Sequence, residues 1–328
     1  MIRYLKTIFV LLLTISLFCR HTAAQPGGLS SKEQEAIVHK IANLIKTHYV
    51  SVEKGAAIAQ HLVKTYQDGA FNKATDNRVF DSLMTTTLQA YSHDGHLFVR
   101  HDTAIVNNIL AAEKDAATPE GEDLFYYGAD AAKKNYGFQE IRILEGNIGY
   151  IKLSEINISG KSLPVLSAAM QLIANTTALI IDLRYNGGGG TDIGAVFESF
   201  FLPANTPLLE FKDRKGHVEV DKTVSWLQQQ QYKQPLFIAV NKRTASAAEA
   251  FAYVLQAHKR AKVIGQPTAG AANWNTYYAV NPEIFVSIST AAPVLPGTDK
   301  TWEQKGIQPD YITLPGAELE QIHKLVHQ

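Results

Sequence analysis

The sequence predicts an α/β fold preceded by a small helical domain, and three observations carry that prediction. From Ile141 onward, short β-rich runs alternate with helix-like stretches, the pattern of βαβ units around strands buried on both faces. Between residues 30 and 92 apolar side chains recur instead at helical spacing. The chain has 328 residues, 46% of them apolar, enough for a large core and more than one domain.

The elements follow in chain order. Arg3 and Lys6 precede an apolar run from Ile8 to Phe18, and the small residues Thr22, Ala23 and Ala24 come next. Residues 1–24 therefore read as a signal peptide cleaved before Gln25, which places the mature protein outside the cytoplasm, secreted or periplasmic. The run is too short to span a bilayer comfortably as a retained anchor. Cys19, the only cysteine, would leave with it, so the mature chain has no disulfide and no thiolate nucleophile.

Ser30 stands three residues before Glu33, a capping-box spacing, and Ile37, Ile41, Leu44 and Ile45 mark one face of a first helix. A second carries Ile58, Leu62, Val63 and Tyr66 and stops at Gly69. The third opens near Thr75 or Asp76 and buries Phe80, Leu83, Leu88 and Tyr91. These make a helical domain over 25–100, closing on the strand-like His96-Leu97-Phe98-Val99. Residues 101–140, with Pro119, Gly121 and Gly128 and no sustained period, read as a connector or flap. The α/β core fills 141–328. In it, strands at 148–153, 178–183, 235–240 and 262–264 alternate with helices expected over 161–175, 191–202 and 246–259.

Charge excludes some functions. Lys plus Arg equals Asp plus Glu at 31 each, which removes the electrostatic case for nucleic acid or an anionic membrane surface as partner. His93, His96 and His101 are close in sequence, yet no acidic or cysteine ligand pattern accompanies them, so no metal and no cofactor is expected.

Two segments could carry chemistry. Asn186-Gly187-Gly188-Gly189-Gly190 follows a buried strand directly. Such a run either presents amides to an anion or makes a tight strand-to-helix turn; a P-loop is excluded because no Gly-Lys-Ser/Thr ends it. Ser246, in Thr244-Ala245-Ser246-Ala247-Ala248-Glu249, stands where a strand gives way to a helix. The helix N-terminus there favours developing negative charge and so suits a nucleophile, although Ser246 and Glu249 equally satisfy a capping box. A serine hydroxyl needs a base, and of eleven histidines His96 is distinctive, following Asp94-Gly95 at a turn into a strand where its ring can enter a cleft.

Together these stretches resemble the tail-specific (C-terminal processing) serine peptidases, in the branch of the tricorn core and interphotoreceptor retinoid-binding protein. The resemblance rests on 182–189, 244–249 and Asp94-Gly95-His96-Leu97, supported by Arg260, Gly265, Thr268, Gly270, Glu303, Gly306, Pro309 and Asp310. It implies a spiral βαβ core like that of the Clp peptidase and crotonase group. It also implies Ser246 as nucleophile, His96 as base and Glu303 as the acid orienting it. The amides of Ala247 and of Gly187 or Gly188 would form the oxyanion hole, and a peptide or unfolded protein would be the substrate. Gly270-Ala271-Ala272 stands where many relatives carry a catalytic lysine, so a Ser-Lys mechanism is out. Gly95 replaces a serine found beside the tricorn histidine, and the connector is too short for a PDZ domain, so PDZ-mediated tail capture is not expected. A weak or inactive homologue binding apolar ligands or peptides in the same cleft, and an acyl-thioester reaction on a crotonase-like fold, are the rival readings.

Overall fold

The computed structural model describes residues 29–74, 76–114, 126–191, 193–227 and 231–327. The segment read as a signal peptide lies outside them. No helix among the described residues is long and apolar enough to cross a membrane.

Three helices open the chain: α1 (Ser31–His48), α2 (Val52–Gln67) and α3 (Asn77–Ser92). The capping box at α1 forms as its spacing indicates, Ser30 and Glu33 each accepting from the other's backbone amide. Asp76 caps α3 by accepting from the amides of Arg78 and Val79. The helices bury Ile41, Ile45, Leu62, Phe80 and Met84 against one another and against β1 (Phe98–His101) and β12 (Ile284–Val294). Next come α4 (Thr103–Lys114) and α5 (Ala129–Lys133), the latter leading by a short 3₁₀ turn into β2 (Phe138–Leu144).

The core is a six-stranded sheet in the order β13-β10-β9-β5-β3-β2. Strands β3 (Ile148–Leu153), β5 (Ala178–Asp182), β9 (Leu236–Val240) and β10 (Ala261–Gly265) run parallel, joined on one edge by the parallel β13 (Tyr311–Ile312) and on the other by antiparallel β2. Burial on both faces explains why these strands read as unbroken apolar runs. Leu179 and Ile181 point into the larger core with Ile151 and Ile238, while Ala178 and Ile180 face the other side with Tyr150 and Phe237. The larger core is covered by α6 (Leu163–Leu172) and α8 (Ala247–Ala257), with the four-residue α7 (Val196–Ser199) between β5 and β9. The other face receives Ile322 of α9 (Glu318–Val326).

Where a helix over 191–202 was expected, only α7 forms. Gly189–Thr191 instead makes β6, which pairs with β4 (Ile156–Ile158), and Gly194 at φ +78° turns the chain before the helix can start. The second sheet, five-stranded and antiparallel, has no counterpart in the sequence reading. It joins β1, β12, β7 (Pro207–Asp213) and β8 (Val218–Lys222), with β11 (Trp274–Ala279) paired to β12. Its importance is positional. Strand β1 leaves the turn at His96 and pairs with β12, and this clamps the histidine segment against the core.

Candidate active site

Ser246 stands at the N-cap of α8, immediately after the loop that leaves β9. Its φ of +54° and ψ of −125° lie outside the regions that L-residues favour. Holding a non-glycine residue there costs about 1–3 kcal/mol and persists only where the surroundings enforce it. The enforcement is visible. The carboxylate of Glu249 accepts from the Ser246 amide at 3.0 Å, from the Gly270 and Ala271 amides at 2.8 and 2.9 Å, and from the Thr268 hydroxyl. Glu249 is fully buried, and burial raises its pKa although these donors pull the other way. The expected capping residue thus ties the serine's backbone to the 268–271 loop.

The Ser246 Oγ lies 3.0 Å from His96 Nε2, a contact between residues 150 apart in the chain. His96 is held from below: its amide donates to Asp94 Oδ1 at 2.9 Å, and Asp94 Oδ2 accepts from the Tyr49 hydroxyl at 2.9 Å. Both Tyr49 and Asp94 are buried, so α1 reaches the site through this one carboxylate. Burial lowers the His96 pKa below its usual 6.5, with Asp94 opposing. At neutral pH the imidazole is therefore uncharged and able to accept a proton.

Glu303 does not make the expected hydrogen bond to the imidazole. Its Oε2 accepts from the amides of Ala272 and Asn273 at 2.7 and 3.1 Å, while His96 Nδ1 is buried without a hydrogen-bond partner. Burial and then the charge of Asp94 push the Glu303 carboxyl up to about 7.

The glycine run passes beside the serine. Gly188, at φ +111°, packs so closely that a Cβ there would stand 2.7 Å from the Ser246 Cβ and 3.3 Å from the Ala247 nitrogen. Its amide is already engaged, donating to Asn186 Oδ1 at 2.9 Å. Of the two expected glycine donors, Gly187 is left: neither its amide nor that of Ala247 donates to an acceptor among the described residues. Asn186 braces the loop further, its Nδ2 donating to Leu153 O and its carbonyl accepting from the Ala245 amide.

Asp94, Tyr49 and Asn186 were not singled out from the sequence for these roles, and Glu249 was expected only as the capping partner of Ser246. Two of them flank residues that were, Asp94 two before His96 and Asn186 at the head of the glycines, but nothing in a linear pattern points Tyr49 at Asp94. His96, Ser246, Ala247 and Gly187 line, with other residues, a cavity of about 1640 Å³. Among the described residues no group of three or more His, Cys, Asp and Glu is placed to hold a metal. His101 instead pairs with Asp81 at 2.7 Å.

A serine hydroxyl at hydrogen-bond distance from an uncharged imidazole, beside unengaged amides, is an arrangement that could perform acyl transfer. The model for peptidase family S41 matches residues 147–313, and the model for the N-terminal domain of peptidase S41 in eukaryotic IRBP matches residues 30–122. The chain belongs to peptidase family S41. Among S41 relatives, the tail-specific protease of Haemophilus influenzae is 31% identical over 134 residues, 36% of this chain and 19% of its own. Chloroplastic carboxyl-terminal-processing peptidase 2 of Arabidopsis thaliana is 29% identical over 166 residues, 50% of this chain and 31% of its own. The matches thus span less than a third of either relative. Among solved structures, one of a putative peptidase from Parabacteroides merdae has a TM-score of 0.60 at 15% identity, covering 92% of this chain and 98% of that one. The tricorn protease structure has a TM-score of 0.57 at 13% identity, covering 90% of this chain and 36% of that one. These likenesses show the fold, the S41 α/β core with its N-terminal helical region, in agreement with the sequence reading.

Proposed function

We propose that the protein is an exported serine endopeptidase acting on peptides or unfolded chains. The observation that carries this is the 3.0 Å contact of Ser246 Oγ with His96 Nε2 at a strained helix N-terminus. His96 takes the Ser246 proton as the oxygen attacks a peptide carbonyl, then returns it to the leaving amine. The amides of Gly187 and Ala247 receive the oxyanion; loss of one such donor typically lowers the rate by about 10²–10³. Glu303 supports the imidazolium through its charge, since no direct bond joins it to the ring in this conformation. The relatives' printed names concern processing of protein C-termini, consistent with a peptide substrate.

A fluorophosphonate probe tests the reading. It should label the purified protein at Ser246, and Ser246→Ala and His96→Ala should abolish labelling while keeping the wild-type circular dichroism spectrum. Absence of labelling in the wild type, with tight binding of an apolar ligand in the cavity, would instead favour the binding-protein alternative. Export through residues 1–24 predicts a mature N-terminus at Gln25, readable by N-terminal sequencing of protein recovered from outside the cytoplasm.

A further inference from the structure

The cavity at Ser246 extends along α8. Ala247, Ala250 and Val254 line it turn after turn, faced by Phe197 and by Leu208 and Leu209 of β7. The same cavity wall carries two carboxylates, Glu198 on α7 and Asp221 on β8. Their segments adjoin: Leu209 pairs in register with Asp221, and Ala195 bridges to Thr223. Glu198 and Asp221 are both half-buried, and both line the cavity.

Of the other acids bordering the cavity, Asp130 pairs with Lys133 and Glu155 with Lys134, while Asp102 accepts from the Ile105 amide at 3.0 Å. Neither Glu198 nor Asp221 forms an ion pair among the described residues. Burial, aided by the charge of Asp221, pushes the Glu198 carboxyl up to about 7, and burial pushes Asp221 up to about 6. Two sunken carboxylates without a counter-charge are unfavourable when ionised, and a cation placed between them would remove that penalty. A divalent metal would want more protein ligands than this pair supplies. A cation on a long aliphatic stem fits better, because the walls beside the acids are apolar.

We infer that this trough is the pocket for a lysine or arginine side chain of a bound peptide, its methylenes against Ala250, Val254 and Phe197 and its charged head at Glu198 and Asp221. The inference rests on the peptidase reading and names the side-chain class that the site selects.

The test uses the whole protein and two organic cations, n-butylguanidine and benzamidine, with n-butylurea as the neutral control, in isothermal titration calorimetry. Both cations should bind the wild type and n-butylurea should not. Glu198→Gln combined with Asp221→Asn should weaken cation binding at least tenfold while the thermal midpoint is kept or raised, since two repelling carboxylates are removed. No cation binding to the wild type, or equal binding to the double variant, overturns the pocket. A second arm compares kcat/KM for peptides differing only in lysine against norleucine, and the double variant should lose the lysine preference alone. Ser246 labelled by fluorophosphonate without cation binding or lysine preference would sink the pocket and leave the peptidase reading standing. Cation binding without labelling would do the reverse.

Discussion

Asp94 accepts the backbone amide of His96 at 2.9 Å through one carboxylate oxygen and holds the Tyr49 hydroxyl with the other. The imidazole is thereby fixed by its main chain, not by a side-chain acid on its ring, and the anchor reaches back to Tyr49, the residue that ends α1. Asp94→Asn keeps an acceptor for the His96 amide but removes the charge that raises the His96 pKa. We expect kcat to fall by about 10–100-fold with KM little changed, the scale of misplacing a general base. The acidic limb belonging to His96 should move to lower pH. Tyr49→Phe removes one donor from a buried carboxylate and should cost about 1–3 kcal/mol in urea denaturation.

The pH profile separates His96 from Glu303. A base must be uncharged, and burial sets the His96 pKa below 6.5, so on its own it would be lost only as pH falls below that value. Glu303 must be ionised to support an imidazolium, and its carboxyl stands at about 7, so its contribution is lost as pH falls through about 7. The wild-type kcat/KM should therefore begin to drop near pH 7. In Glu303→Gln the plateau should be lower and the remaining limb should lie below 6.5. A limb left in place by that substitution would remove Glu303 from the mechanism.

How much of this was readable beforehand follows from where each residue's partners lie. Strands β3, β5, β9 and β10 are buried on both faces and announce themselves as apolar runs. Strands β7, β8 and β11 are partly exposed, and β1, whose start reads as strand-like, finds its partner near residue 285, so local composition does not reveal that these strands join in one antiparallel sheet. Ser246 and His96 were legible because each sits at a punctuated strand boundary. The engagement of Gly188 by Asn186, and the seating of Glu303 on the Ala272 and Asn273 amides instead of His96, depend on side-chain directions that spacing does not encode.

Arg184 anchors the last helix. It binds both oxygens of Asp182 at 2.9 and 2.6 Å and Glu318 Oε2 at 2.8 Å, and both carboxylates are buried. Arg184→Ala strands two buried charges and should destabilise by about 3–5 kcal/mol. Lysine should rescue only part, lacking the fork that spans both acids. Burial opposes ionisation of Glu318, but its bonds to Gln266 and Arg184 outweigh burial and lower its pKa below 4.5. Its stabilisation is thus present above pH 4.5 and lost as pH falls through the lowered value. The deficit of Arg184→Ala, measured by urea denaturation across pH, should accordingly be largest near neutrality and shrink in acid.

The neighbouring glycines 187 and 188 should respond oppositely to the same methyl group. At Gly187 a Cβ meets nothing within 4 Å, so Gly187→Ala should leave the unfolding midpoint within about 2 °C of wild type. At Gly188 the backbone stands at φ +111° and the new carbon would press on the Ser246 Cβ at 2.7 Å. Strain and overpacking together should cost about 2–4 kcal/mol. The relief available is movement of the serine itself, because Gly188 also abuts Ala245 O and the Ala247 nitrogen. Fluorophosphonate labelling of Gly188→Ala should therefore slow by at least tenfold even at temperatures where the variant is fully folded. Labelling at the wild-type rate would mean that the close packing of this loop on Ser246 does not position the nucleophile.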